Sequence, residues 1–384
     1  MANVLSNLAA DIYKAADVVG RELVGFIPSA TINGVASDSA RAAKGDTIRA
    51  AFTRTPSVNT SFAPSMTIPE GTDQTVDNKT MTLDSYASVQ IPWTGEDIKH
   101  VNNGAGYETI YGDQIAQAIR ALCNKIEQDL FAAVYKGASR AIGTAGTTPF
   151  ASNFETIAQV RQILVDNGCP TDNQITLVMN TAAGVKLRNL AQLQQVNTAG
   201  NEALLRQGTL LDLQGIMIKE SAGITTHTKG GGTSYVTSGS TAVGVTDIAL
   251  VTGSGTVLAG DVVTFAADTA NKYVVGTGVT AAGTISLNAP GAQKVIATAN
   301  ALTIGDSYTP SVAFHKSAVE LGMRPPAMPN GGDSAVDVMT VQDPNSGLVF
   351  EIAVYKGYMK TMLEVRCLYG TKVWKPNHVA TLLG

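Results

Sequence analysis

Residues 106–136 read GYETIYGDQIAQAIRALCNKIEQDLFAAVYK, and this stretch decides the architecture. Ile110, Ile115, Ala118, Ile119, Leu122, Ile126, Leu130, Ala133 and Val134 recur every three or four residues, the spacing of one apolar stripe on an α-helix. Glu108 and Asp113 stand near its start, where the helix dipole favours anions. Lys136 stands at its end, and Gly137 stops it. At 1.5 Å per residue the rod is about 40 Å long, two to three times an ordinary helix. It reads as a structural spine. Glu127 and Asp129 read as its solvated face.

Upstream, residues 3–24 predict an amphipathic helix with Val4, Leu5, Leu8, Ile12, Ala15, Ala16 and Val19 on one side. Asn3 or Ser6 would cap it, and Gly25 and Pro28 would stop it. It suits a core helix and a terminal arm on a partner chain equally well. Residues 36–98 change character. Pro56, Pro64 and Pro69 interrupt a stretch with no helical period, and then Met81, Leu83, Val89 and Ile91 alternate, with Tyr86 out of step. The pattern predicts a long extended hairpin loop, which a compact monomer rarely carries without a core of its own. Such a loop makes sense lying on another subunit. Glu96 and Asp97 read as the acidic first turn of a helix.

Downstream, a second amphipathic helix runs from Phe154 to Asn167 and ends at Gly168 and Pro170. Gln174–Met179 reads as a buried strand, Asn180 as the cap of a short helix reaching Leu190, and Gly208–Lys219 as extended chain. The middle is therefore mixed α+β. Residues 226–307 are dominated by Thr, Gly, Val and Ala. Short strands at Asp247–Thr252, Asp261–Phe265, Lys272–Val275, Thr284–Leu287 and Lys294–Ala297 alternate with turns, as in a small β-barrel or sandwich. Lys229-Gly-Gly-Gly-Thr233 reads as a linker into this unit. Mixed structure then resumes: Val312–His315 and Ala318–Leu321 are strand-like, and Leu348–Tyr355 with Lys360–Leu368 predict an antiparallel pair.

The 384-residue chain is long enough for two or three domains. Charged residues are only 15% of it, against about 25% in soluble proteins generally. So sparse a charge fits a surface largely covered by neighbours. The net charge of -4 and the absence of a basic block argue against strong general binding to nucleic acid. No apolar run is long enough to cross a bilayer, and the N-terminus does not read as a signal peptide. Cys123, Cys169 and Cys367 form no CxxC pair and are expected as free, buried thiols.

No motif nominates chemistry. His100, His227, His315 and His378 stand apart from one another and from the cysteines, so each is read as structural. Nucleophile elbows, metalloprotease helices, phosphate loops and calcium loops are missing from the sequence. Asp343-Pro-Asn-Ser-Gly347 is a turn signature. No catalytic residue, cofactor site or metal site is expected.

The order of parts resembles tailed-bacteriophage major capsid proteins of the Hong Kong ninety-seven type fold, and most closely the branch of the short-tailed Salmonella phage P-twenty-two coat protein. The stretches that carry the likeness are Trp93-Thr-Gly-Glu-Asp-Ile98 running into the spine, Gly260-Asp-Val-Val-Thr-Phe-Ala266, Lys272-Tyr-Val-Val275, Thr284-Ile-Ser-Leu-Asn-Ala-Pro290, Ser311–Val319 and Arg324-Pro-Pro-Ala-Met-Pro329. The resemblance implies an α+β capsid fold divided into an N-terminal arm (1–35), an extended loop (36–98), a peripheral domain with the spine helix (99–150), a first part of an axial domain (151–225), an inserted β-barrel domain (226–307) and an axial and peripheral return (308–384). It implies a non-enzymatic subunit of a virion shell, made in the bacterial host cytoplasm. Its partners would be copies of itself in pentamers and hexamers, a scaffolding protein and a portal protein, around DNA bound without sequence specificity and with no membrane.

Candidate contact residues are Asp11 in the arm and Arg49, Arg54, Pro56, Pro64 and Pro69 in the loop, the prolines stiffening it and so lowering the entropy lost on docking. Thr228–Ser240 holds no acidic residue, so the charged loop contact of that family is not expected here, and no cross-linking Lys–Asn pair is assigned. Two other classes compete. One is an extracellular surface-layer or adhesin-type β-rich protein. The other is a cytosolic α+β enzyme, which would show a deep polar pocket with His315 or His100 converging on carboxylates.

Overall fold

The computed structural model describes residues 6–37, 40–53, 58–60, 64–68, 76–101, 107–151, 153–194 and 212–384. The spine helix spans Tyr107–Lys136, about 45 Å at 1.5 Å per residue. Its predicted stripe is buried from Ile115 to Val134 except at half-buried Ala133, and Cys123, Phe131 and Tyr135 are buried beside it. The apolar face is therefore wider than one stripe, because the helix lies between two sheets and an arm.

The arm helix, Ser6–Glu22, lays Ile12, Ala15, Ala16 and Val19 onto the spine of its own chain. Arg120 of the spine grips Glu22 with two bonds of 2.6 and 2.7 Å. Of the two roles the sequence left open for this helix, the structure shows the core one.

The first sheet has six strands. Its order is Thr31–Gly34, Val319–Arg324, Lys360–Val373, Val349–Gly357 and Ala335–Gln342, with Ser85–Thr94 also paired to Lys360–Val373. Alternate residues of the fourteen-residue strand Lys360–Val373, namely Leu363, Val365, Cys367 and Tyr369, face the spine core. The intervening Glu364 and Arg366 point to the other face. There Arg366 Nε meets Glu351 Oε1 at 2.7 Å and Arg41 Nη1 lies 2.5 Å from Glu351 Oε2. The predicted pair at Leu348–Tyr355 and Lys360–Leu368 is present as Val349–Gly357 with Lys360–Val373. Tyr86 falls out of step for a reason visible only in space. The chain turns at Leu83–Asp84, and Val76–Thr82 and Ser85–Thr94 are separate strands in different sheets.

The second sheet runs Met217–Glu220, Ile175–Met179, Ser311–His315, Val379–Leu383 and Arg140–Gly143 before it continues into the Thr/Gly-rich unit. One face, with Leu177, Ala313, Ala380 and Leu382, is covered by the helix Glu155–Asp166 and the helix Thr181–Arg188. The other face, with Val178, Val312, Phe314 and Val379, packs on the spine core. Asn180 caps its helix as predicted, its side chain accepting the N–H of Ala183 at 2.8 Å.

The Thr/Gly-rich unit begins and ends at the bridge between His227 and Tyr308 and has its own core around Tyr235, Ile248, Val263, Phe265, Tyr273 and Ile285. Two expectations fail here. Lys294–Ala297 is not a strand, since only Ile296 bridges to Thr241; the strand is Leu302–Ile304. Lys229–Thr233 is not a free linker, because Gly230 N donates to Asp261 and Gly232 N to the Thr256 carbonyl. Glycine is needed for a different reason: a Cβ on Gly230 would stand 2.3 Å from the Thr256 oxygen.

Candidate assembly surfaces

Thr47–Thr53 and Val76–Thr82 pair residue for residue, Thr47 with Thr82 through Thr53 with Val76. This ribbon forms a two-stranded sheet of its own. Its base is held: Gly45 N donates to the Leu83 carbonyl, Leu83 N to the Asp46 carbonyl, and Met81 and Leu83 are buried. Beyond the paired strands the described segments carry Val58, Met66 and Ile68 at 83%, 106% and 87% exposure. A two-stranded ribbon is marginal alone in water.

Arg49 is exposed on this ribbon and Pro64 is exposed beyond it. Arg54, Pro56 and Pro69 lie outside the described residues, as does the side chain of Asp11, whose backbone is in the arm helix. A second exposed apolar point was not foreseen: Tyr358 and Met359 are 93% and 68% exposed at the turn between Val349–Gly357 and Lys360–Val373.

Two buried polar joints hold the arm helix and the Thr/Gly-rich unit to the body. The first is Glu127, which the sequence reading put on a solvated face. It is buried. Its Oε1 accepts Phe26 N at 2.7 Å and the Ser221 hydroxyl at 2.8 Å, and its Oε2 accepts Ile27 N at 2.9 Å. One carboxylate thus fastens the exit of the arm helix, the spine and the end of the strand Met217–Glu220. A Cβ on Gly25 would stand 1.9 Å from Oε1, so close approach requires glycine there. The signal was present in the spacing, since residue 127 is four from both Cys123 and Phe131 on the buried side of the helix. Asp129, by contrast, is part-exposed; it pairs with Lys125 and accepts the Tyr369 hydroxyl at 2.6 Å.

The second joint lies at the base of the inserted unit. Lys272 and Tyr273 pair with Ala141 and Arg140, so the unit's sheet is continuous with that of the body. His227 Nε2 meets Asp261 Oδ1 at 2.9 Å, and both side chains are buried. Asp261 also accepts Gly230 N at 3.1 Å and Leu258 N at 2.7 Å. The Tyr135 hydroxyl, from the spine, lies 3.3 Å from His227 Nδ1. Asn288 donates to the carbonyls of Lys136 and Ala138, 2.7 Å each, and so satisfies acceptors that the end of the spine leaves open. No local sequence pattern could have paired residues 34 and 150 positions apart.

Among the described residues, no cluster of His, Cys, Asp and Glu could hold a metal ion, and no helix is long and apolar enough to cross a membrane. His315 does meet a carboxylate, Asp172, at 2.9 Å, but Ser317 occupies its other nitrogen. Of two open grooves of about 540 and 520 Å³, the first is lined by small and apolar residues such as Val257, Ala259 and Val279, the second by Ile91 and Ala118 together with Gln90, Asp113, Gln114 and Gln117; neither includes His315 or His100. The three cysteines are free and buried. Burial first, then nearby acidic side chains, pushes the Cys123 thiol up to about 12 and the Cys169 thiol up to about 11.

No protein-family model matches the chain, and no curated protein matches it. Solved structures do. A chain of the capsid structure of the cyanophage P-SCSP1u superposes with a TM-score of 0.51 at 13% identity, covering 94% of this chain and 88% of that one. A chain of Mycobacterium phage Che8 matches at 15% identity and a TM-score of 0.48, covering 91% of each. A chain of the mature capsid of bacteriophage PhiM1 matches at 13% identity and a TM-score of 0.47, covering 92% of this chain and 85% of that one. The fold is the mixed α+β fold of the cyanophage capsid chain, followed over nearly the whole length.

Proposed function

We propose that this chain is the major capsid protein of a tailed phage, with no reaction to catalyse, and that its copies form the pentamers and hexamers of an icosahedral shell around packaged double-stranded DNA. The observation that carries the reading is the fold itself, since nearly all of the chain follows a phage capsid chain and little is left over for another task. The physical features agree with it. The ribbon at Thr47–Thr82 ends in exposed apolar side chains, which a neighbouring copy would cover through a heterologous contact. Asp11, Arg49, Arg54, Pro56, Pro64 and Pro69 are our candidates for such contacts. Each contact can be modest, because many acting together stabilise the shell. A net charge of -4 suits a wall that encloses DNA without gripping it.

Within this reading we assign the chain to the P-twenty-two-like branch, on the strength of the inserted β-unit. We keep the six-part division of the sequence with it, and scaffolding and portal proteins as partners during assembly in the host cytoplasm. The test is direct. The full chain, expressed in bacteria, purified and imaged by negative stain, should form closed shells of uniform diameter. Solitary compact particles would overturn the proposal.

A further inference from the structure

Two buried histidines meet at one end of the second sheet. His315 ends the strand Ser311–His315, and His378 closes the short turn Pro376–His378 that leads into Val379–Leu383, the strand beside it. They are 4% and 9% exposed, with ring centroids 6.2 Å apart and planes nearly perpendicular. His315 is fully engaged. Its Nε2 faces Asp172 at 2.9 Å, and its Nδ1 accepts the Ser317 N–H at 3.2 Å. His378 is not. Its ring bonds the backbone of Gly168, while its Nδ1 is buried with no hydrogen-bond partner.

The charged and titratable groups around His378 are Lys375 on its own turn, His315 on the adjacent strand, and Asp172 and Cys169 on the loop that follows Gly168. Asp172 is already committed to His315. A proton on His378 Nδ1 would therefore create a buried N–H with no acceptor, next to the Lys375 ammonium, and an unmade buried bond of this kind is costly.

We infer that this histidine pair is an acid-sensitive joint: protonation of His378 releases the turn Pro376–His378 and loosens the strand Val379–Leu383 that it leads into. Burial first, then Lys375 and His315, holds His378 below the usual histidine range, with the Gly168 bond opposing. The sign follows from linkage. The opened state takes up a proton from about pH 6.5 downward, where a free histidine titrates, and the closed state resists it. Opening is therefore favoured as pH falls below about 6.5 and is indifferent to this group above it. Val379–Leu383 lies between Ser311–His315 and Arg140–Gly143, so loosening it parts the two halves of the second sheet. The inference rests on the fold alone and stands or falls apart from the shell reading.

Hydrogen exchange of the full chain, followed by mass spectrometry at pH 7.5 and 5.5 and corrected for the intrinsic rate, tests it. One linked proton raises opening by at most about tenfold per pH unit. The segment 377–384 should therefore open more at the lower pH in the wild type, by up to about tenfold, and less than about twofold more in His378→Gln. The exposed-site control His100→Gln should keep the wild-type ratio. A wild type with no pH dependence in this segment, or a His378→Gln protein that retains it, overturns the inference. Should His378→Gln fail to fold, exchange of the histidine C2 hydrogen in the wild type serves instead. His378 should titrate below a free histidine, and a titration at or above the free value refutes the joint.

Discussion

Replacing Glu127 with alanine should unfasten the arm from the body. The substitution leaves the N–H groups of Phe26 and Ile27 and the hydroxyl of Ser221 without their acceptor, at distances that now read 2.7, 2.9 and 2.8 Å. A buried donor left unpaired costs about 1–3 kcal/mol. An open groove of about 290 Å³, lined by Gly25, Asn124, Gln128 and Ser221, adjoins the site and lets water recover part of that loss. The net cost should be about 3 kcal/mol, equivalent to a fall in melting temperature of about 4 °C for a chain of this size. Glu127→Gln keeps one carbonyl oxygen as acceptor and should lose about half as much. Thermal unfolding measures the first effect. Limited proteolysis between Glu22 and Ile27 measures the second, since the exit of the arm should become accessible before the spine does. A Glu127→Ala protein that melts within about 1 °C of the wild type, with the arm no more accessible, would refute the assignment of Glu127 as a fastening.

Asp261→Asn should loosen the base of the inserted unit by about 2–4 kcal/mol, because His227 and two backbone N–H groups lose a carboxylate partner; hydrogen exchange should rise at residues 227–230 and 256–262 before it rises elsewhere. Asn288→Ala removes two bonds to the end of the spine and should cost about 1–2 kcal/mol, read as faster exchange at residues 133–138 with the inserted unit still folded. Deleting residues 50–80 should leave a folded body that makes no stable shells, as judged by circular dichroism and electron microscopy; normal shells would remove the ribbon from the contact. The native protein should be slow to react with a thiol reagent at pH 8, since Cys123 and Cys367 are each held up to about 12 by burial above all. Thiols should become titratable only after denaturation, and rapid native labelling would contradict the burial.

The sequence by itself determined what depends on neighbours along the chain. The spine was legible because its apolar residues repeat at the helical period over thirty positions. The Asn180 cap and the Asp343 turn were legible because their physics is local. The class of the fold and the presence of a charge-poor surface followed from the order of such pieces and from composition. Tertiary structure decided everything carried by long-range pairing. It placed Glu127 inside, because two backbone donors a hundred positions away close onto it. It moved Tyr86 into a new register, made an anchored strap of the glycine run at Gly230, and set two histidines from distant segments side by side. Polar side chains have no fixed address in a periodic pattern. Their burial depends on which partners the folded chain delivers, and that delivery is a property of three dimensions.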